Sequence, residues 1–269
     1  MPTAAEVISS RTTALHARPR GARVVRAHRR GFTITDVLVT MAVIAVLMSL
    51  LAPSLSSVRQ AAHQVVCRSN VRQLGFGIFM YAEHNADRMP SSSVWVPQLT
   101  PGADQPWDTV TLRFGPQRGA LAGSWDGLGR LYKEDYLPAP KIFYCPAHRG
   151  DHKFADAATS WANGDEEEIV GNFQYRACGP TRILHPSSPA APTTTLLSRI
   201  DPNAAIVADS LRTKADFSHQ VGANILRANQ SVEWYSDTGR VIVNLLPKDS
   251  AQAVEAGPFL QVWGHFDGP

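Results

Sequence analysis

Three residues that could ligate zinc follow one another closely along the chain: Cys145, His148 and His152, in a Cys-x2-His-x3-His pattern. Thiolates and imidazoles at such spacings are typical zinc ligands. A structural zinc site takes four ligands, and no obvious fourth ligand accompanies these three. From the sequence we therefore predict no metal site in this segment.

A second group of polar residues surrounds His219, with Asp209, Ser210 and Asp216 nearby in the sequence. Such residues could form a catalytic cluster. However, the chain has neither a nucleophile elbow nor a glycine-rich phosphate loop after a strand. We therefore expect His219 to have a structural role, bonded to the backbone or to a carboxylate where a sheet meets a loop. The sequence predicts a protein that is not an enzyme.

One carboxylate, Asp36, lies inside an apolar run of 21 residues from Phe32 to Ala52 that holds no other ionisable side chain. As a helix this run would be about 31 Å long, close to the hydrocarbon thickness of a bilayer. A charge in lipid is costly unless it is paired, so Asp36 is a functional residue by default. Cleavage after Gly31 would expose an α-amine on Phe32 that could pair with Asp36 of a neighbouring subunit.

The positive charge of the chain is concentrated in its first 30 residues, which hold seven Arg and one acid, Glu6. The whole chain carries +3, so the remainder is negative, and a nucleic-acid partner is not expected. Arg-rich flanks stay in the cytoplasm, which predicts insertion with the N-terminus inside. Three alternatives fit less well. A signal peptide has a shorter apolar core, a plain anchor explains neither Asp36 nor Gly31, and a buried soluble helix would not follow an Arg cluster.

Residues 29–36, RRGFTITD, resemble the class III signal of type IV pilins and type II secretion pseudopilins. The resemblance implies cleavage after Gly31 by a prepilin peptidase, N-methylation of Phe32 and a role for Asp36 in assembly. It also implies a helix kink at Pro53. The implied partners are other subunits, the peptidase, an inner-membrane assembly platform and membrane lipid. This chain differs from the usual signal in having Asp at position 36 instead of Glu, and Thr35 instead of Ile.

These observations divide the chain into a removable leader (1–31), an N-terminal helix (32–86) and a periplasmic head (87–269). The helix should span the membrane over 32–52 and be amphipathic over 53–86. Apolar residues spaced by three and four predict a stripe that covers the head: Leu51, Leu55, Val58, Ala62, Val65, Cys67, Val71, Leu74, Ile78 and Tyr81.

The predicted fold class is α+β, a pilin-like long helix packed on a small antiparallel β-sheet. The sequence predicts a short helix over 128–136. It predicts strands over 141–146, 171–176, 204–208, 223–226, 231–235 and 240–246, the last three as a meander.

The head resembles those of planctomycete-type pseudopilins over residues 128–146 and 216–237, a family often marked by a His-x9-Asp-Gly motif. His219 fits the motif, but Asn229 and Gln230 replace its Asp-Gly pair, so the hairpin turn is expected to differ. The resemblance gives His219, Gly222 and Asn224 structural roles. Because some pseudopilin heads bind calcium, Ca²⁺ at Asp209, Asp237 or nearby carbonyls is an alternative to the absence of cofactors.

An oxidising periplasm favours disulfides. The pair Cys67–Cys145, which would join the helix to the head, is our prediction, with Cys145–Cys178 as the alternative.

Taken together, the sequence predicts a pseudopilin-like structural subunit in the bacterial inner membrane, with one span, a cytoplasmic N-terminus and a periplasmic head. It would assemble through its N-terminal helix into a type II secretion or type IV pilus-like filament. Two other functions stay open at this point: a membrane-tethered ligand-binding protein that does not polymerise, and a tethered metallo-hydrolase.

Overall fold

The computed structural model describes residues 31–93, 109–162, 167–177, 195–249 and 256–268. The leader, 1–30, and Cys178 lie outside these ranges. The chain divides into two compact units, Met1–Leu51 and Ala52–Pro269.

The long N-terminal helix, α1, extends over Ile34–His84, within two residues of the predicted limits at each end. It runs through Pro53 without interruption, and the kink at that residue stays a prediction. Among the described residues of the first unit, 31–51, the large apolar side chains other than Val37 are exposed, from 51% at Val43 to 82% at Phe32. Within the described residues, α1 is the one helix whose length and hydropathy would allow it to cross a membrane.

The predicted apolar stripe is only half right. Its second part is buried in the core of the head: Cys67, Val71, Leu74, Ile78 and Tyr81. Its first part is exposed: Leu51, Leu55, Val58 and Val65. From Cys67 onward α1 packs closely against the rest of the head, and glycine occupies two positions where a larger side chain would not fit. A Cβ on Gly75 would lie 2.8 Å from a Leu226 methyl, and one on Gly77 would lie 2.8 Å from a Leu137 methyl.

A four-stranded antiparallel sheet forms the centre of the head, with its strands in sequence order. These strands confirm four of the predicted ones: β3 Phe173–Tyr175, β4 Ala205–Asp209, β5 Gly222–Arg227 and β6 Val232–Ser236. A two-stranded sheet joins β1 (Thr111–Arg113) to β2 (Ile169–Val170).

Apolar residues cover both faces of the four-stranded sheet. Val207 and Leu226 belong to the cluster that contains the α1 stripe, whereas Ala208 and Ile225 pack with Trp263 in a second cluster. Trp263 belongs to a C-terminal helix, α5, over Ala256–Asp267. Neighbouring residues of a strand point to opposite faces of the sheet. The two clusters therefore lie on opposite faces, and the sheet is buried between two helical layers.

The strand predicted over 240–246 is wrong: this segment is a helix, α4, over Val241–Leu245. The Asp237 carboxylate accepts hydrogen bonds from the backbone N–H groups of Ile242 and Val243, each at 3.1 Å. Unpaired N–H groups at a helix start are stabilised by such acceptors. Packing of the buried Ile242 and Val243 in the second cluster adds to this, so tertiary contacts outweigh the β-propensity of the run.

The strand predicted over 141–146 is also wrong, since Pro140–Phe143 forms a 3₁₀ turn and irregular chain follows it. Proline fixes φ and has no N–H to donate to a strand, which favours the turn. The short helix predicted over 128–136 is present as α2, Gly129–Lys133. The prediction missed α5 and the helix α3, Phe154–Ala162.

The β5–β6 turn differs from the two-residue type I′ turn of an Asp-Gly pair. The Arg227 N–H donates to the Ser231 carbonyl, and Gln230 adopts a left-handed conformation with φ of 68°. Asn229 has no positive φ, and its side-chain oxygen accepts the Ser231 N–H at 2.9 Å. Of these two residues, only Gln230 therefore adopts the left-handed conformation. That conformation costs free energy for a residue with a Cβ, and glycine would avoid this cost.

We expect Gln230→Gly to stabilise the head by about 0.5–1 kcal/mol, because the left-handed strain removed exceeds the added chain entropy. Asn229→Gly should destabilise it, because the bond to the Ser231 N–H is lost. Thermal unfolding of the detergent-solubilised full chain measures both. Equal shifts in the same direction for the two variants would contradict this account of the turn.

Candidate functional site

The N-terminal segment places Gly31 and Phe32 in exposed, non-helical chain directly before α1. Asp36 lies in the first turn of that helix. Its carboxylate accepts hydrogen bonds from the Thr33 N–H at 3.0 Å and the Thr33 hydroxyl at 2.7 Å. Thr33 is neutral, so these bonds orient the carboxylate without compensating its charge.

The head contains a buried polar cluster, formed by Cys67, Cys145, Asp209 and His219. One potential ligand atom from each residue lies within 4.8 Å of the other three. Cys67 comes from α1, Cys145 from the chain after the 3₁₀ turn, Asp209 from the end of β4, and His219 from the loop before β5. The Cys67 and Asp209 side chains are fully buried, and that of His219 is 6% exposed.

The contacts inside the polar cluster link all four members. The Cys67 thiol donates to Asp209 Oδ1 at 2.8 Å. Nε2 of His219 lies 3.6 Å from Cys145 Sγ and 3.6 Å from Asp209 Oδ2. In a Cys-His-Asp relay the thiol and the carboxylate face opposite ring nitrogens. Here both face the same nitrogen, so the geometry does not support a nucleophilic relay.

Burial and mutual hydrogen bonding shift the pKa values of the cluster. Burial raises the pKa of Asp209, although His219 opposes this. Burial also raises the pKa of Cys67 well above its usual value. The neighbouring Cys67 side chain lowers the pKa of Cys145 to about 6 against the effect of burial, and His219 helps. Burial lowers the pKa of His219, but Cys145 and Asp209 outweigh it and the pKa is raised. These directions favour a Cys145 thiolate beside a His219 imidazolium.

A second layer of residues holds the polar cluster in place. Asn224 donates to Asp209 Oδ2 through its backbone N–H at 2.6 Å and its side-chain amide at 3.1 Å. The Trp234 ring meets the His219 ring edge-on, with 5.4 Å between centroids. Gly222 permits this, since a Cβ there would overlap both the Trp234 ring and the Tyr235 carbonyl oxygen. The structure thus gathers the three predicted motif residues, His219, Gly222 and Asn224, around the cluster.

The structure does not bring the side chains of Cys145, His148 and His152 together as a zinc site. His148 Nε2 contacts the Asp151 carbonyl oxygen at 2.6 Å and lies 3.4 Å from the Asp216 carboxylate. His152 Nε2 faces the Arg212 guanidinium at 2.7 Å. Both histidines therefore have partners of their own, and of the three residues only Cys145 belongs to the polar cluster.

Two other sequence predictions, a disulfide and a calcium site, concern residues of this cluster. Cys67 and Cys145, the predicted disulfide pair, are neighbours, but both are free thiols. Asp209, a predicted calcium ligand, belongs to the cluster, whereas Asp237 uses its two oxygens to cap α4. Sequence reasoning did not group Cys67 with Asp209, and no local spacing could have done so.

Two clefts border the polar cluster. One, of about 410 Å³, is lined by Cys145 together with Tyr144 and Phe154. The other, of about 690 Å³, is lined by His219 and Trp234. Two members of the cluster, Cys145 and His219, thus line clefts at its border.

The chain matches no family model, no curated protein and no solved structure. The resemblance to pilins therefore stays a prediction from residues 29–36 and from the two head segments described above.

Proposed function

We propose that the chain is a pseudopilin-like structural subunit, anchored in the bacterial inner membrane by α1 and polymerised through it. The observation that carries this proposal is the exposed apolar segment that begins directly after Gly31, extends to Ala52 and holds a single carboxylate, Asp36. The head is periplasmic and the N-terminus is cytoplasmic before processing. Its function is assembly rather than catalysis.

The exposed apolar surface of α1 indicates that this part of the helix lies in an apolar environment. Soluble monomers rarely expose apolar patches beyond a few hundred Å². Over 32–51 nearly every large side chain is apolar and exposed, including Ile44, Leu47 and Leu50. Lipid covers such a surface in the subunit, and the helices of neighbouring subunits cover it in a filament.

The position of Asp36 supports polymerisation rather than plain anchoring. Cleavage after Gly31 leaves a cationic amine on Phe32, four residues before the carboxylate. A carboxylate and an amine from neighbouring subunits attract strongly where water is excluded. Because Thr33 supplies only neutral donors, the charge of Asp36 is still available for this partner. The pairing would fix the register between subunits.

Processing tests this proposal. Mass spectrometry of the protein, expressed in a bacterium with a prepilin peptidase and extracted from its membranes, should find a chain that begins at N-methylated Phe32. Gly31→Val should abolish cleavage. A Cβ at Gly31 meets nothing within 4 Å, so the fold has no reason to change.

Gly264→Val is the matched control, because a Cβ on this exposed helical glycine also meets nothing within 4 Å. It should leave cleavage unchanged. An intact leader on the unmodified chain, or cleavage at another residue, would contradict the proposal.

A further inference from the structure

The buried polar cluster has a composition that neither a packed core nor a disulfide explains. Two thiols, a carboxylate and an imidazole meet at one place among apolar residues. A disulfide would use the two sulfurs and remove the Cys67 proton that now bonds to the buried Asp209 carboxylate. Buried charges in proteins are paired or coordinate metals, because desolvation is otherwise costly.

The spacing within the polar cluster suits a tetrahedral ion. With ligand bonds of about 2.0–2.3 Å, neighbouring ligand atoms around zinc are about 3.3–3.8 Å apart. The two contacts of His219 Nε2, to Cys145 Sγ and Asp209 Oδ2, are both 3.6 Å. All four ligand atoms lie within 4.8 Å of one another. Small side-chain movements would therefore complete the site.

The donor set selects the ion. Calcium and magnesium take oxygen ligands, and they do not suit two thiolates. Zinc accepts sulfur, imidazole nitrogen and carboxylate oxygen in one tetrahedral site. We propose that Cys67, Cys145, Asp209 and His219 bind a Zn²⁺ ion that fastens α1 to the sheet of the head.

The surroundings show the second layer that metal sites need. Two Asn224 donors hold the Asp209 carboxylate, and the Trp234 ring orients the imidazole of His219. The cleft lined by His219 and Trp234 gives the ion a path inward. Binding releases to solvent the Cys67 proton that now bonds to Asp209, any proton on Cys145 and the Nε2 proton of the His219 imidazolium, so that the ion meets two thiolates, a carboxylate and a neutral imidazole.

Four buried protein ligands make this a closed, structural site rather than a catalytic one. The ligands come from α1, β4 and two loops, so the ion would link segments that are distant along the chain. Its effect would be to resist separation of the Cys67 end of α1 from the sheet. The site does not depend on processing or polymerisation, so either proposal can fail without the other.

The test is metal analysis of the full-length protein, purified in detergent under reducing conditions with zinc supplied. We expect stoichiometric zinc and an X-ray absorption spectrum with two sulfur and two nitrogen or oxygen neighbours. Substitution with Co²⁺ should give a thiolate-to-cobalt charge-transfer band. Removal of the ion should lower the Tm by at least about 5 °C.

Variants assign the ligands. Cys145→Ser should lose zinc and the cobalt band, whereas His152→Ala, which changes the local Cys-His-His pattern, should keep both. If Cys145→Ser does not fold, the spectra of the unmodified protein still test whether zinc is bound by two sulfur ligands. A protein without zinc, one that carries a Cys67–Cys145 disulfide, or zinc retained in Cys145→Ser would overturn the proposal.

Discussion

Asp36→Ala is expected to abolish filament assembly while leaving membrane insertion and leader cleavage intact. Without the carboxylate, the Phe32 ammonium of each neighbouring subunit stays unpaired in a low-dielectric surrounding. The cost of an unpaired charge there should weaken subunit association on the order of a hundredfold. Electron microscopy and shearing of filaments from cells measure the loss. Immunoblotting of membranes shows that the subunit still accumulates.

Two further variants separate charge from shape at this position. Asp36→Asn keeps the shape but removes the charge, so it should fail like Asp36→Ala. Asp36→Glu keeps the charge on a side chain one methylene longer and should still assemble. Ser49→Ala is the control in the same helix, since the Ser49 hydroxyl already donates to the Val46 carbonyl oxygen. Filaments from Asp36→Asn cells would contradict the electrostatic pairing.

Gly222→Ala is expected to destabilise the head by about 3 kcal/mol, because overpacking against fixed backbone cannot relax. Its Cβ would overlap the Tyr235 carbonyl oxygen, which belongs to the neighbouring strand, and the Trp234 ring. Displacing Trp234 would also disturb the His219 ring that it contacts. The Tm of the detergent-solubilised chain should fall by about 6–12 °C.

Gly239→Ala is the matched control, since its Cβ would meet a Val241 methyl at 3.4 Å, an ordinary contact. Its Tm should change by no more than a degree or two, because Gly239 lies in an exposed turn, where a small substitution has little effect on stability. If Gly222→Ala unfolds at the same temperature as Gly239→Ala, the close approach of Trp234 to Gly222 is not a constraint on the fold.

The parts of the fold that the sequence predicted correctly are those with strong local signals. The long helix α1 follows from its apolar run and from the spacing of Cys67, Val71 and Leu74. Strands β4 to β6 follow from short segments of aliphatic and aromatic residues between turns. In each case a local pattern and the tertiary packing favour the same structure.

The failures occur where tertiary contacts outweigh local preference. The segment Val241–Leu245 is rich in β-branched residues, yet the Asp237 carboxylate starts a helix there. The exposed residues Leu55 and Val58 continue the helical spacing of the stripe, but the head begins to bury α1 only at Cys67. Periodicity shows that a face is apolar, and it does not show what covers that face.

The polar cluster was beyond local sequence reasoning for a different reason. Its members are spread from position 67 to position 219, so only the fold brings them together. The spacing rule instead selected His148 and His152, which the structure pairs with Asp216 and Arg212. The sequence groups Asp209 with His219 and pairs Cys67 with Cys145, but nothing in it joins these two pairs.

The pairing of Asp36 with the amine of a neighbouring Phe32 is the central claim, and a zero-length crosslink tests it most directly. Cells that co-express isotopically labelled and unlabelled chains would be treated with a membrane-permeable carbodiimide, which joins carboxylates to amines. We predict an amide between Phe32 of one isotopic form and Asp36 of the other, detected by tandem mass spectrometry. Crosslinks confined to chains of one form, or a Phe32 amine still blocked by the leader, would contradict the account.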